Sequence, residues 1–113
     1  MRGSGQSQLL KGALDVAVIA AIGSDESYGY EILQRLEHAG LEGVGDASVY
    51  GALKRLEALD YLRSQLTPST SGPARRYYRV TAKGARWFNG SVTEWRQFTA
   101  AIERLLASEG GRG

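Results

Sequence analysis

Past Gly45 the hydrophobic period of the chain switches from helical to strand-like within a few residues, and this limits the folds open to it. Val49, Leu53, Leu56 and Leu59 recur at helical spacing, with Asp46 placed to cap the segment by accepting a first-turn N–H. From Tyr61 to Thr67 and from Arg75 to Thr81 the pattern becomes two short strands around a polar, turn-rich stretch, Pro68 to Ala74. That stretch is too long for a tight two-residue turn, so the hairpin is expected to project as a finger. In its second strand Arg76, Tyr78 and Val80 share one face and Arg75, Tyr77 and Arg79 the other, so at least one face is too basic to be core.

Three further helices complete the order helix, helix, helix, hairpin, helix. The first is expected from Gln8 to Ile22, where Leu10, Leu14, Val16, Val18, Ile19 and Ile22 encircle the axis and call for cover on every side. Ser27 is placed to cap a second helix from Tyr28 to about Ala39, with Ile32, Leu33 and Leu36 on one face and Gly40 closing it. The last runs from about Ala82 to Ala107. Its Phe88, Val92, Trp95, Ile102 and Leu106 follow alternating steps of four and three, Thr99 fills the polar slot, and Phe98 and Leu105 widen the stripe. Such a helix reaches about 39 Å at a rise of about 1.5 Å per residue. That is more than so small a domain covers by itself, and a helix from a second copy is the economical cover.

A chain of 113 residues fits one domain with a modest core, and 42% hydrophobic with 23% charged residues is an ordinary globular composition. No apolar run approaches the roughly 20 residues that span a bilayer. The first seven residues are read as a flexible leader or cloning remnant and left out of the fold. The absence of cysteine removes disulfide and thiolate chemistry and is compatible with a reducing cytoplasm. Net charge is only +2, but its distribution is polar. Gly12 to Asp46 holds seven acids against Arg35, whereas Ala47 to Gly90 holds eight bases against Glu57 and Asp60. A chain that gathers its cations in one half is suited to present that side to a polyanion.

On the Asp46–Leu59 helix, Ala47, Tyr50, Gly51 and Lys54 fall opposite the apolar stripe, flanked by Ser48 and Arg55. Small residues let a backbone approach a groove, and hydroxyls and cations suit phosphates and base edges. The helix followed by a basic hairpin is therefore read as a DNA-recognition helix and its wing, with Ser48, Tyr50, Gly51, Lys54, Arg55, Arg75 and Arg76 as DNA-binding candidates. Arg55 could equally pair with a neighbouring acid and orient the helix. Tyr28, Tyr30, Tyr77 and Tyr78 are read as packing residues. Enzymatic readings find no support: the single histidine, His38, stands at a helix end, and there is no nucleophile motif, phosphate-cradling loop or metal-ligand spacing. No catalytic residue, metal or cofactor is expected.

Three segments resemble the PadR-like transcriptional regulators in their short form with a single C-terminal helix. They are Tyr28-Gly29-Tyr30-Glu31-Ile32, Val49-Tyr50-x-Ala52-Leu53-x-Arg55-Leu56-Glu57 and Arg76-Tyr77-Tyr78-Arg79-Val80-Thr81-x-x-Gly84, and the likeness covers about Leu9 to Leu106. One departure is Gly51, where the family commonly carries proline. The resemblance implies a winged helix-turn-helix homodimer that usually represses transcription and is often released by a small ligand. It also implies that Trp95, with Phe98 and Phe88, could stack a flat aromatic effector in a cavity between subunits.

The expected fold is mainly α with a small β-hairpin wing: a winged helix-turn-helix domain over 8–81, a dimerisation helix over 82–107 and a flexible tail over 108–113. The expected partners are double-stranded DNA with a palindromic operator, a second copy and a small aromatic effector, with no membrane and a cytoplasmic location. The alternative is a winged-helix interaction or dimerisation module without sequence-specific DNA binding.

Overall fold

The computed structural model of the chain describes residues 13–41 and 43–110. Its elements are α1 (Leu14–Ile22), β1 (Ser27–Tyr28), α2 (Gly29–His38), α3 (Asp46–Ala58), β2 (Leu62–Thr67), β3 (Arg75–Val80) and α4 (Ala82–Gly110). The expected start of the first helix at Gln8, the leader and the last three residues lie outside the described residues. Mainly helical, with a small antiparallel sheet beside the helices, the fold is the one the sequence leads to.

The core forms where α1, α2 and α3 meet the sheet. Val18, Ile19 and Ile22 of α1, Ile32 and Leu36 of α2, and Val49, Ala52, Leu53 and Leu56 of α3 pack together with Leu62 and Tyr78. Burying a side chain of this kind contributes about 1.5–3 kcal/mol, so these residues carry most of the drive to fold. The stripe on α3 differs from expectation at one end. Leu59 lies past the last helical residue and is 47% exposed, and Ala52 takes a core place instead.

Helix ends account for further corrections. Ser27 does not cap α2; it lies in β1, fully buried, where its hydroxyl donates to the carbonyl of Ile22 at 3.3 Å and accepts from Arg35. Tyr28 is the capping residue, its N–H donating to the Glu31 carboxylate at 3.1 Å. Gly45 rather than Asp46 caps α3, and Asp46 is the first helical residue, where its charge complements the helix dipole. Gly40 closes α2 as expected. At φ +102°, it lets its own N–H reach Glu37 O and that of Leu41 reach Leu36 O. Asp60 repeats the same bond pattern after α3 at φ +67° without being glycine, and the reversal turns the chain directly into β2.

The hairpin forms with Leu62 opposite Val80 and Thr67 opposite Arg75. The sequence reading missed its third strand. Ser27 and Tyr28 pair with Tyr78 and Tyr77, which gives the sheet order β1-β3-β2 and makes β3 central. A two-residue strand carries no period to detect. Thr81 ends the strand and starts α4: its hydroxyl accepts from the Gly84 N–H at 2.9 Å and donates to Asp60 O at 2.7 Å. The root of α4 is fixed further by Tyr61, whose ring stacks on Trp87 with centroids 5.1 Å apart.

From that root α4 continues for 29 residues to Gly110, three beyond the expected end, and residues 108–110 are thus helical rather than tail. Phe88 and Trp87 still touch the core, but farther along Trp95, Phe98, Ile102, Leu105 and Leu106 are all exposed. The molecule is 60 × 32 × 20 Å with a radius of gyration of 16.5 Å. A compact domain of this length would have about 13 Å. The difference is the projecting helix.

Candidate nucleic-acid interface

Along α3 the residues that alternate with the core stripe face outward. Ala47, Ser48, Tyr50, Gly51 and Lys54 are all exposed, so the small, hydroxyl-bearing and basic face read from the sequence is a surface of the folded chain. Ser48 lies in the first turn, the part of a recognition helix that meets base edges when such a helix enters a groove. Nothing stands within 4 Å of where a Cβ on Gly51 would project, so this stretch of the face is open.

Tyr50 has a second task. Its ring lies over Gly29 at the start of α2, so closely that a Cβ on Gly29 would come 2.8 Å from Tyr50 Cζ. A side chain at position 29 would displace the Tyr50 ring from this seat, so the glycine between the two tyrosines is what lets the ring lie there. Tyr50 is thereby both 44% exposed and part of the helix packing.

Arg55 points elsewhere. It forms an ion pair with Asp15 of α1, its Nη2 against one carboxylate oxygen and its Nε 3.3 Å from the other. The hydrogen bond to Asp15 and the carboxylate's charge together hold the guanidinium pKa above its ordinary value, against a smaller desolvation effect. Of the two roles the sequence left open for Arg55, the structure has it fastening α3 to α1.

The wing is attached to α3 through polar contacts. Ser64 of β2 donates to the Glu57 carboxylate at 2.6 Å and accepts from Arg76 Nη1 at 3.0 Å, so a chain of three side chains runs from α3 to β3. Arg75 places its guanidinium 4.5 Å above the ring of Tyr28. Tyr78, read as a packing residue, is buried under this arrangement. Burial pushes its phenol pKa up, Glu57 and Tyr50 push the same way, and Arg76 opposes them. The phenol therefore stays a neutral hydroxyl.

The aromatic residues of α4 do not form one group. Trp95 and Phe98 are neighbours with ring centroids 6.5 Å apart, 45% and 60% exposed, whereas Phe88 packs on the core about two turns earlier. Within one chain Phe88 is partly buried against the domain core, apart from the exposed pair. Of the two tyrosines near the wing read as packing residues, Tyr28 is half-buried beneath Arg75, whereas Tyr30 is exposed. The glycine between them was the available signal of a close approach.

Among the described residues no group of three or more His, Asp or Glu is placed to hold a metal ion, and no helix is long and apolar enough to cross a membrane. Comparison with known proteins agrees with the geometry. The sequence model of the transcriptional regulator PadR-like family matches residues 18–89. The crystal structure of a PadR-like transcriptional regulator from Bacillus cereus strain ATCC 14579 superposes with a TM-score of 0.78 at 31% identity, over 88% of this chain and 96% of that one. A Streptococcus transcriptional regulator gives 0.76 at 33% identity, over 87% and 96%. A Lysinibacillus sphaericus protein, itself described only as uncharacterized, is 27% identical over 103 residues, 89% of this chain and 94% of its own. The chain thus belongs to the PadR-like family of DNA-binding transcriptional regulators.

Proposed function

We propose that the chain is a homodimeric repressor that binds a palindromic operator and is released by a small, flat aromatic ligand. The observation that carries the DNA reading is the continuity of the exposed α3 face, Ser48, Tyr50, Gly51 and Lys54, with Arg75 and Arg76 of the wing. In this reading α3 enters the major groove, where Ser48 and Lys54 meet base edges, and the two arginines meet phosphates.

The exposed apolar stripe of α4 supports the dimer. Five large apolar residues on a helix that has left its own domain are costly in water, and the same stripe on a second copy is self-complementary about a two-fold axis. Two recognition helices about 34 Å apart would then read two half-sites. Trp95 and Phe98 lie on this stripe, so a planar ligand stacked there would alter how the two copies meet and with that the spacing of the helices.

Selection of the purified protein on a random duplex library, at physiological salt with competitor DNA, tests the reading. A two-fold symmetric motif in the bound pool is the expected result. Binding that competitor abolishes without any enriched sequence would overturn it in favour of a charge-driven interaction module. Addition of planar aromatic compounds to the complex formed on the selected duplex then tests release.

A further inference from the structure

Between the start of α2, the exposed side of α3 and the wing lies a hollow of about 210 Å³, lined by Tyr28, Tyr30, Tyr50, Tyr78, Arg75 and Arg76. No carboxylate lines it. Two guanidinium groups and the phenols surround it, with aromatic rings as its floor, and four elements, β1, α2, α3 and β3, contribute.

The groups are prearranged for an oxygen anion. The Tyr28 ring beneath Arg75 fixes the guanidinium in place while leaving its N–H edges for a ligand. Arg76 is held from outside the hollow, through Nη1 on Ser64. Tyr30 accepts a hydrogen bond from Gln34 Nε2 at 3.2 Å, which leaves its own O–H proton for donation. With two cations, phenol hydroxyls able to donate and no carboxylate, this hollow is the complement of an anionic phosphodiester rather than of a neutral base edge.

Resting on the DNA-binding reading above, we propose that this hollow seats one backbone phosphate of the duplex. Tyr30 Oη and Arg75 donate to its non-bridging oxygens, Tyr28 serves as the platform that orients Arg75, and the aromatic floor carries the adjoining sugar. The seat lies between α3 and the wing, so a strand leaving the groove toward the wing passes over it. Tyr30, outside both the recognition helix and the wing, becomes a DNA ligand.

Fluorescence anisotropy with wild type, Tyr30→Phe, Gln34→Ala and Lys54→Ala tests this. The probes are the selected duplex, an unrelated duplex and a set in which single phosphodiesters are replaced by methylphosphonate. Loss of one hydrogen bond to a charged oxygen lowers affinity by about ten-fold. Tyr30→Phe is expected to lose that factor on both natural duplexes with an unchanged melting temperature, and Gln34→Ala, which frees the Tyr30 hydroxyl without removing it, to lose less. One methylphosphonate position should weaken wild type yet leave Tyr30→Phe no weaker than it already is. If Lys54→Ala loses binding while Tyr30→Phe does not, or if the Tyr30→Phe loss adds to that of every methylphosphonate position, the seat is overturned and the DNA reading stands. Failure of wild type to bind any duplex would overturn both.

Discussion

Gly84 shows how much one absent side chain can decide. A Cβ there would overlap the carbonyl oxygen of Tyr61 and lie 2.9 Å from its carbonyl carbon, so the first turn of α4 sits against the α3–β2 junction only because position 84 is glycine. Gly84→Ala must displace α4 from that junction, and the expected cost is about 1–3 kcal/mol, the usual range for overpacking, measured as a lower urea midpoint. Gly51 is the opposite case. It lies in the interior of α3 with open space around it, so Gly51→Ala should raise stability by about 1 kcal/mol, visible as a higher melting temperature. Tyr78 gives a pH dependence. Its folded pKa is raised by burial, so the folded state holds the phenolic proton more tightly than the unfolded chain does. That contribution is intact below the unfolded value of about 10 and drains away as pH rises through the folded one. Unfolding midpoints of Tyr78→Phe followed into alkali should therefore fall less steeply than those of wild type.

At the scale of elements, the proposed function gives α3 and the wing separable tasks. The Glu57–Ser64–Arg76 chain and the β1–β3 pairing tie both to the same sheet, so they present a single surface. Replacement of Arg75 and Arg76 by alanine should weaken binding to every duplex and reduce the salt slope by about two, because each phosphate contact contributes about one counterion. Lys54→Ala should instead change which sequences are preferred, with the salt dependence altered less. Comparison of binding isotherms across several salt concentrations on matched and mismatched duplexes separates the two. Arg55 belongs to neither group: its ion pair with Asp15 connects α3 to α1, a contact between residues forty positions apart that no local pattern reveals. Similarly, β1 exists because β3 passes beside it, and the first-turn capping of α2 shifted from Ser27 to Tyr28 when Ser27 was drawn into that strand.

For the whole molecule the dominant feature is α4, which extends past the core and leaves Trp95, Phe98, Ile102, Leu105 and Leu106 in water. If this stripe joins two copies as proposed, Phe98→Glu with Leu105→Glu should convert the dimer to a folded monomer in sedimentation velocity. The same double variant should lose most of its operator affinity while keeping an intact recognition helix, because two linked half-sites bind together far more tightly than one. A dimer that survives both charges would remove the basis for this assembly.

The sequence alone determined what depends on short-range periodicity and residue chemistry. It fixed the number and type of the main helices, the hairpin, the long apolar stripe of α4, the reversal at Gly40 and the small, basic face of α3, because spacing of 3.6 or two residues and the conformational freedom of glycine are local properties. Tertiary structure decided what depends on which surfaces meet. Leu59 became exposed because its helix ends before it, and Arg55 was drawn to Asp15. Phe88 came to rest partly buried against the core, and Tyr28, Tyr30, Arg75 and Arg76 came together around one hollow. These residues lie up to forty-eight positions apart, and contacts of that kind form only once burial of the core has fixed how helices and sheet pack.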